Sequence, residues 1–293
     1  MKGKLFDRIP GGTLISNFRH VLEHIKKRKL YFGDLEFMMV YFLGARLTYS
    51  IYYNFLERKY SDRGCLNFGH FKLPKVYSIT EKCSFIDQYL DIVYPFINMK
   101  YDRIEGEGPY FFDKVIVERG DVVIDAGANI GMFSAVAAAL GGSVYAFEPL
   151  DYVRERFLEL TAKLNKDIKI VPMALSNQSG IQKMKIDLRN IDGSSLIKLP
   201  KYYKEVDIYS ISLDEWVKLN GIKKINFIKA DIEGAERLML EGASFILKEY
   251  APKLSLCIYH FDDDKKILKE IILKANPKYK IFYNWKKLYA YVE

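Results

Sequence analysis

The chain has 293 residues, of which 49% are hydrophobic and 28% are charged. This composition supports a large packed core and excludes a wholly disordered chain. The length suits one large domain or a core domain with an extension. The three cysteines, Cys65, Cys83 and Cys257, are far apart in the sequence. They exclude a disulfide framework and a zinc ribbon and favour a reducing compartment, so we expect a cytoplasmic protein.

The formal net charge is +8, and most of the basic excess lies in the first hundred residues. Its densest part is the run Lys26–Lys29, which could contact an anionic surface or form a solvated basic face. Binding of nucleic acid would also need basic residues near the functional site. Because the remaining two thirds of the chain are nearly neutral, we expect no nucleic-acid partner.

Residues 1–75 are predicted to form a basic, aromatic-rich helical extension, followed by a second domain over residues 76–293. The most apolar segment, Phe37–Ala45, is bounded by charged residues on both sides. It is shorter than the ~20 apolar residues that span a bilayer. The aromatic-rich stretch from 37 to 56 favours a helix that packs on the main domain. Two further roles stay open, which are pairing two copies into a homodimer or lying along a membrane surface.

From Asp121 onward, short apolar runs alternate with longer amphipathic segments. The apolar runs predict strands at Val122–Ile124, Val144–Phe147, Ile168–Val171, Ile225–Lys229 and Leu254–Tyr259. The amphipathic segments predict helices at Ile130–Leu140, Tyr152–Leu164, Ala235–Leu240 and Asp264–Ala275. Alternation of this kind, with strands that are apolar throughout, indicates a parallel sheet covered by helices on both faces.

Three further predicted features lie outside the alternation. Phe111–Val117 is predicted as a short helix or strand that precedes the sheet. Ile181–Ile186 and Val206–Ile211 are predicted as two strands that flank a polar loop. Lys280–Tyr283 and Leu288–Val292 predict a C-terminal antiparallel hairpin, which large mixed sheets tolerate at an edge.

The most informative motif follows the first predicted strand. Asp125 ends that strand, Gly127 allows a sharp turn and close approach of a ligand, and Gly131 permits close packing where a helix begins. The pyrophosphate-binding pattern Gly-x-Gly-x-x-Gly is absent. In open sheets of this class, ligands bind beyond the carboxyl ends of the strands. A carboxylate at this place would repel a pyrophosphate but could accept hydrogen bonds from an ammonium group, directly or through water.

Glu148 ends the second predicted strand, where an acidic residue can accept hydrogen bonds from both hydroxyls of a ribose. The alternative is a charge that stabilises the N-terminus of the following helix. Together with Asp125, Glu148 favours a ligand that is a nucleoside with a charged amino-acid tail.

These motifs and three later ones resemble the FkbM-type S-adenosylmethionine-dependent methyltransferases, within the class I methyltransferase superfamily. The matching segments are residues 120–131, 144–149, 174–176, 212–214 and 228–236, in the order of the family. The last segment, Ile-Lys-Ala-Asp-Ile-Glu-Gly-Ala-Glu, is the most specific to the family. The resemblance covers roughly residues 107–293. Phe111 departs from it, because relatives often have a glutamate at that place.

The resemblance implies a Rossmann-like α/β fold with a mostly parallel seven-stranded sheet and S-adenosyl-L-methionine as the cofactor. It implies that Asp125, Gly127, Asn129 and Gly131 surround the methionine part of the cofactor. It also implies that Glu148 binds the ribose hydroxyls and that Met173, Ala174 and Leu175 border the adenine.

The loop after the fourth strand holds Asp231 and Glu233, which in this fold class face the transferable methyl group. Asp231 is the first candidate for contacting the acceptor or the cofactor ammonium, and Glu233 shares this role or stabilises the next helix. His260, at the same rim, is a candidate general base or a structural hydrogen-bonding residue. Ser194 and Ser195 lie in a loop that could fold over the acceptor. We expect no metal, because the aspartates after His260 more simply cap the following helix.

We therefore expect an O-methyltransferase that modifies a hydroxyl of a small-molecule or glycan acceptor, namely a saccharide, a glycoconjugate or a related natural product. The saccharide part rests on the family's association with such pathways. N-methylation and methylation of a small non-sugar metabolite are the alternatives, although the Asn/Asp-Pro-Pro-Tyr motif of many amine-modifying relatives is absent. A binding module without chemistry is a further class. In an enzyme of this kind, residues 1–75 would form a homodimer or hold the protein near lipid-linked glycans.

Overall fold

The computed structural model describes residues 45–98, 107–187, 194–197 and 203–293. The described residues group into two compact units, one of residues 45–66 and 75–88 and the other of residues 67–74 and 89–293. The candidate site residues all belong to the second unit. The predicted division of the chain after residue 75 stays a prediction.

The first unit contains helix α1 (Ala45–Tyr60), strand β1 (Ser61–Asp62) and helix α2 (Ile79–Gln88). Tyr53 of α1 is fully buried and meets Phe85 of α2 edge to face, with ring centroids 5.1 Å apart. Its hydroxyl accepts a hydrogen bond from the Val76 amide at 2.8 Å. Aromatic packing with a satisfied hydroxyl therefore joins the two helices.

The helical prediction for residues 1–75 holds in the described part only as far as Tyr60. Short strands follow it, namely β1, β2 (Cys65–Asn67) and β3 (Lys72–Pro74). The change begins at Arg63 and Gly64, which both have positive φ angles, 43° and 87°. This backbone conformation turns the chain back, so that β1 pairs antiparallel with the start of β2.

Residues 1–44 lie outside the described part of the chain, and with them the basic run and about half of the aromatic-rich stretch. The predictions for those segments stay predictions. In the described end of the stretch, Phe55 of α1 is 58% exposed. Of the helices in the described ranges, none has the length and apolar character that crossing a bilayer requires.

A seven-stranded sheet forms the centre of the second unit. Its strands are β4 (Val122–Ala126), β5 (Ser143–Phe147), β6 (Ile168–Val171), β10 (Phe227–Ala230), β11 (Lys253–Cys257), β12 (Lys280–Asn284) and β13 (Lys287–Tyr291). Their order is β12-β13-β11-β10-β4-β5-β6. All neighbours from β11 to β6 are parallel, whereas β13 is antiparallel to β11 and β12. The predicted mostly parallel sheet and its C-terminal hairpin are confirmed.

Helices cover this sheet and complete its core. They are α3 (Tyr94–Asn98), α4 (Met132–Ala139), α5 (Asp151–Val153), α6 (Glu159–Leu164), α7 (Leu213–Leu219), α8 (Glu236–Glu241), α9 (Ser244–Glu249) and α10 (Asp264–Ala275), with π-helical turns at Tyr89–Val93 and Arg154–Leu158. Trp216, Met239 and Leu268 bring three of them into one hydrophobic core with the strands. Helix α10 begins and ends where the sequence pattern predicts.

The prediction of a regular element at Phe111–Val117 is wrong. Phe112 and Val115 form an isolated bridge around a turn in which Asp113 has a φ of 53°. The apolar residues that suggest an element pack inward from this turn, since Phe111 stacks on Phe133 with ring centroids 5.1 Å apart. Their hydrophobic character reflects burial rather than a strand.

A small second sheet contains β7 (Ala174–Leu175), β8 (Gly180–Asp187) and β9 (Tyr203–Ile211), in the order β7-β9-β8. Strands β8 and β9 are antiparallel, which confirms the predicted pair of strands. Met184 and Ile208 of this sheet pack against Leu150 and Val153, just beyond the end of β5. The small sheet therefore forms a wall beside the carboxyl edge of the large one.

Candidate functional site

A cleft opens at the carboxyl ends of β4, β5 and β10, next to the small sheet. It holds about 650 Å³ of empty space, including its solvent-open mouth. Of the predicted residues, its lining includes Gly127, Asn129, Glu148, Met173, Ala174, Leu175, Asp231 and Glu233. Asp125, Gly131 and His260 are described but are not among the lining residues.

Gly127 brings the ends of three strands together. Its φ is 72°, and a Cβ atom there would lie 2.1 Å from the backbone oxygen of Asp231. Its amide donates to the carbonyl of Phe147 at 3.1 Å. Only glycine permits this close approach of the loops after β4 and β10, with the end of β5 on the other side.

Glu148 presents a buried carboxylate that two backbone amides hold in place. Asn129 N donates to Oε2 at 3.1 Å, and Leu150 N donates to Oε1 at 3.0 Å. Burial raises the pKa of Glu148 to about 7, although these two hydrogen bonds and the charges of Arg154 and Lys229 oppose the shift. The side chain is therefore oriented to accept hydrogen bonds from hydroxyls of a ligand when it is ionised.

The neighbouring part of the cleft is apolar. Phe147, Leu150, Met173 and Leu175 contribute to the lining there. Phe147 is supported from below by Trp216, whose ring centroid lies 5.0 Å away. This surface suits a flat, uncharged ring of a ligand.

Asp125, predicted to accept hydrogen bonds from the ammonium of a ligand directly or through water, has an ammonium partner within the protein. The side chain is fully buried, and its Oδ1 lies 3.0 Å from the ammonium of Lys229. Ser134 Oγ donates to its Oδ2 at 2.6 Å. Lys229 also donates to the carbonyl of Gly127 at 2.8 Å. The pair thus holds the glycine turn, and contact of Asp125 with a cofactor stays a prediction.

Gly131 and Asn129 shape the same turn. Both have positive φ angles, 85° and 50°. A Cβ on Gly131 would lie 2.8 Å from Leu158 and 2.9 Å from Thr161. A glycine at position 131 therefore allows the start of α4 to pack closely against the following helical segment. The backbone amide of Asn129 contributes to the cleft by its hydrogen bond to Glu148.

Asp231 is the carboxylate on the opposite side of Gly127. Tyr110 donates its hydroxyl to Asp231 Oδ2 at 2.8 Å, and Tyr259 donates to Oδ1 at 3.4 Å. Burial acts to raise the pKa of Asp231, but the hydrogen bond and charge of His260 and the ammonium groups of Lys229 and Lys287 outweigh it and lower the pKa. Asp231 is therefore an ionised hydrogen-bond acceptor at neutral pH.

His260 lies behind Asp231 and is surrounded by carboxylates. Its Nε2 is 3.3 Å from Asp231 Oδ1 and 3.4 Å from Glu236 Oε1, and its Nδ1 is 3.4 Å from Glu233 Oε2. Burial acts to lower the pKa of His260, but these neighbours and Cys257 raise it well above its ordinary value. A ring that stays protonated has no lone pair to accept a proton, so this geometry disfavours His260 as a general base.

Glu233 lines the cleft in a strained backbone conformation. Its φ is 54°, which is unusual for a residue with a side chain. Ser195 Oγ donates to its carbonyl at 2.7 Å, and the backbone of Ser195 pairs with Lys185 of β8. The described segment 194–197 is thereby attached to both the small sheet and the loop after β10 that holds Asp231 and Glu233. Its predicted position over an acceptor stays a prediction.

Donor atoms of Asp231, Cys257 and His260 lie within 4.8 Å of one another, a spacing that a metal site requires. Two of these donors carry protons. Burial raises the pKa of the Cys257 thiol to about 12, and His260 is held as an imidazolium. Metal binding would therefore have to release these protons, and the expectation that no metal is required stays a prediction.

Two further residues reach the site from distant parts of the chain, namely Tyr110 and Lys287. Nothing in their local sequence indicates this position, because it depends on how the loop after residue 106 and the C-terminal hairpin meet. Lys229 does have a sequence signal, since it interrupts an otherwise apolar strand next to Asp231.

Comparison with known proteins supports the assignment of a family. The profile of the methyltransferase FkbM domain matches residues 125–280, just over half of the chain. The 31-O-demethyl-FK506 methyltransferase FkbM of Streptomyces tacrolimicus is 25% identical over a match that covers 47% of this chain and 69% of that protein. The hexuronic acid methyltransferase AglP of Haloferax volcanii is 28% identical, with 45% and 53% covered. The chain thus spans about half the length of AglP.

Solved structures with a similar arrangement include methyltransferase FkbM from Methylobacillus flagellatus, with a TM-score of 0.45 and 18% identity over 85% of this chain and 60% of that one. The strand order, with the last strand inserted antiparallel beside β11, is that of class I methyltransferases. With the family profile matching more than half of its length, the chain is a member of the FkbM methyltransferase family and has the class I methyltransferase fold.

Proposed function

We propose that this protein is an S-adenosylmethionine-dependent O-methyltransferase that modifies a hydroxyl of a saccharide, a glycoconjugate or a related natural product. The observation that carries the proposal is the pair of differently held carboxylates in one cleft. Glu148, fixed by two backbone amides, and Asp231, fixed by side-chain donors, lie on either side of the Gly127 turn.

The residues of the cleft fit the cofactor. Glu148 would bind the ribose hydroxyls, and Met173 and Leu175 would pack against the adenine. Gly127 lets the loops after β4 and β10 approach closely, which places Asp231 beside the cleft on the side opposite Glu148. When bound, S-adenosylmethionine supplies an electrophilic methyl group on a sulfonium sulfur.

Asp231 is the residue that we place at the acceptor hydroxyl. Its lowered pKa keeps it ionised, so it can accept a hydrogen bond from the hydroxyl and orient an oxygen lone pair for in-line displacement. The acceptor oxygen becomes strongly acidic as it gains the methyl group, so even a weakly basic carboxylate can take its proton. His260, already protonated, would stabilise the charge of Asp231 in this scheme.

The class of acceptor is supported by the names of two relatives, one acting on a hexuronic acid and one on the 31-hydroxyl position of a demethylated FK506. Both are polyoxygenated molecules, and a loop reading Asp231-Ile232-Glu233-Gly234 offers carboxylates that suit hydroxyl donors. N-methylation or methylation of a small non-sugar metabolite is the alternative that a substrate screen would reveal.

The test has two stages. Isothermal titration with S-adenosylmethionine, S-adenosylhomocysteine and NADH should show binding of the first two compounds and not of the third. Mass spectrometry should then detect a mass gain of one methylene group in a library of sugars, uronic acids, glycolipids and macrolides. Binding of NADH in the cleft would reject the proposal, and methylation of amines alone would support the alternative.

Two proposals compete for residues 1–75, which are homodimer formation and contact with membranes that carry lipid-linked glycans. The exposed Phe55 and Ile51 of α1 support an apolar contact of either kind. Light scattering and sedimentation with anionic vesicles, each on the full chain and on a chain shortened by residues 1–75, would separate them. A full chain that is monomeric and ignores vesicles would exclude both.

A further inference from the structure

Lys287 is a fully buried lysine at the edge of the sheet where the cleft opens. It is the first residue of β13, and because β13 is antiparallel to β11, it pairs with Cys257 at the end of β11. Its ammonium donates to the backbone carbonyl of Glu107 at 3.1 Å. Burying an ammonium is costly unless it is compensated. Lys287 is therefore an unusual buried charge beside the site, and methyl transfer itself does not explain its presence.

The surroundings of Lys287 keep it charged. Burial acts to lower its pKa, but the charges of Asp91, Glu107 and Asp231, together with Cys257, outweigh this effect and raise the pKa. The ammonium is thus held by a carbonyl and by the field of several carboxylates. Removal of this positive charge would leave Asp91, Glu107 and Asp231 with one fewer cation nearby.

Tyr110 connects Lys287 to Asp231. The ammonium lies 4.1 Å from the centroid of the Tyr110 ring, which is within the range of a cation–π contact. The hydroxyl of the same ring donates to Asp231 Oδ2 at 2.8 Å. Burial and the charge of Asp231 raise the pKa of Tyr110 well above its ordinary value, so the hydroxyl remains a donor.

We propose that Lys287 is a positioning residue for methyl transfer, which holds the Tyr110 ring so that its hydroxyl keeps Asp231 in one orientation toward the cleft. The inference rests on the proposed function of Asp231. Lys287 acts at two points of one segment, the Glu107 carbonyl and the Tyr110 ring three residues later. Together these contacts fix both the backbone and the side chain that deliver the hydroxyl.

A double-mutant cycle tests this connection. The proteins are wild type, Lys287→Met, Tyr110→Phe, the double variant and the control Lys280→Met, which alters an exposed lysine of the same hairpin. With an acceptor from the screen, Lys287→Met and Tyr110→Phe should each lower kcat by about 10-fold, since misplacement of a positioned group has effects of this order or larger. The dissociation constant for S-adenosylmethionine should change less than about twofold by titration calorimetry, and Lys280→Met should resemble wild type.

The double variant decides the outcome. If Lys287 acts through Tyr110, its loss should have no further effect on kcat once the hydroxyl is gone. Multiplicative losses of about 100-fold in the double variant would overturn the proposal, because they would show two independent roles. An unchanged kcat in Lys287→Met would overturn it as well.

A second readout needs no acceptor. His260 shares Asp231 with Tyr110, so the imidazolium N–H proton of His260 in the NMR spectrum reports the state of that carboxylate; the loss of its signal in His260→Gln assigns it. Lys287→Met and Tyr110→Phe should shift this resonance in the same direction, and the double variant no further. A lower melting temperature with an unmoved resonance would reduce Lys287 to a structural role and overturn the inference.

Two safeguards keep the test decisive. Should Lys287→Met fail to fold, Lys287→Gln retains a donor for the Glu107 carbonyl while removing the charge, and the same shifts are expected. A wild-type protein that does not bind S-adenosylmethionine would reject the proposed function, whereas the NMR comparison would still test the link from Lys287 to Asp231.

Discussion

Glu148 and Asp231 are carboxylates of the same cleft, yet their surroundings move their pKa values in opposite directions. Glu148 is almost fully buried, and its hydrogen bonds come from neutral backbone amides. Asp231 has a side chain that is 25% exposed, and its neighbours are an imidazolium and two ammonium groups. The backbone amides orient the Glu148 carboxylate but do not offset the rise in pKa that burial causes. The cations around Asp231 both orient its carboxylate and outweigh the effect of burial on its pKa. The carboxylate at the Glu148 end can therefore gain or lose its proton near pH 7, whereas Asp231 stays ionised there.

The largest effect is expected at the Asp231 end. Asp231→Asn should lower the rate of methyl transfer by about 100-fold or more, because an amide keeps the shape but loses the charge that orients the hydroxyl. Affinity for S-adenosylmethionine should change by less than about threefold. Single-turnover rates and calorimetry give the two values, with Asp207→Asn on an exposed part of β9 as the control. Equal losses in rate and affinity would assign Asp231 to the cofactor instead.

The next effect concerns Gly127, where the two ends of the cleft meet. Gly127→Ala places a Cβ against the carbonyl of Asp231, whereas Gly120→Ala, with a φ of 87°, meets no atom within 4 Å. Both variants strain the backbone, but only the first also overpacks the loops. The free energy of unfolding from urea titration should be lower in Gly127→Ala by at least ~2 kcal/mol more than in Gly120→Ala. Equal losses would mean that the loops can move apart.

Glu148→Gln addresses the opposite end of the cleft. The dissociation constant for S-adenosylmethionine should rise about 10- to 100-fold, since hydrogen bonds from the ribose to a charged group are lost. Turnover at saturating cofactor should change little. Calorimetry on Glu155→Gln, an exposed residue of the following helical segment, provides the comparison. If turnover falls and affinity does not, Glu148 contacts the acceptor and Asp231 the cofactor, the reverse of the proposed roles.

The smallest effect is a pH dependence that only the Glu148 end should show. Because its pKa is about 7, affinity for S-adenosylmethionine should rise about 5- to 10-fold between pH 6 and pH 8 as the carboxylate ionises. Calorimetry across this range on wild type and Glu148→Gln should show the dependence in wild type alone.

Stability without cofactor should move the other way. A carboxyl group whose pKa is raised from 4.5 to about 7 binds its proton more tightly in the folded state. Stability is therefore lost as the pH rises from about 4.5 to about 7. Melting temperatures should fall over this interval more steeply in wild type than in Glu148→Gln. Parallel curves for the two proteins would contradict the raised pKa.

The location of the cleft and most of its lining are predictable from the sequence. Gly127, Glu148 and Asp231 each follow an apolar run, and the ends of parallel strands meet at one edge of the sheet. Side-chain partners are not predictable in the same way. Asp125 meets Lys229 because the parallel register places these two residues side by side on β4 and β10, and no motif records that register.

The charge of His260 is a second feature that the sequence pattern does not specify. Its pKa depends on carboxylates of the loop after β10 that approach it only in the folded protein. The link from Lys287 through Tyr110 to Asp231 joins segments that are more than a hundred residues apart along the chain. Local spacing contains no information about such contacts.

The Lys229–Asp125 pair has one more consequence, for behaviour in concentrated electrolyte. Its two side chains are 5% and 0% exposed, so dissolved ions cannot come between them. Exposed ion pairs weaken when salt shortens the screening distance, which is about 8 Å at physiological ionic strength, but desolvated pairs are much less sensitive. The glycine turn that Lys229 holds should therefore keep its shape from dilute buffer to molar salt.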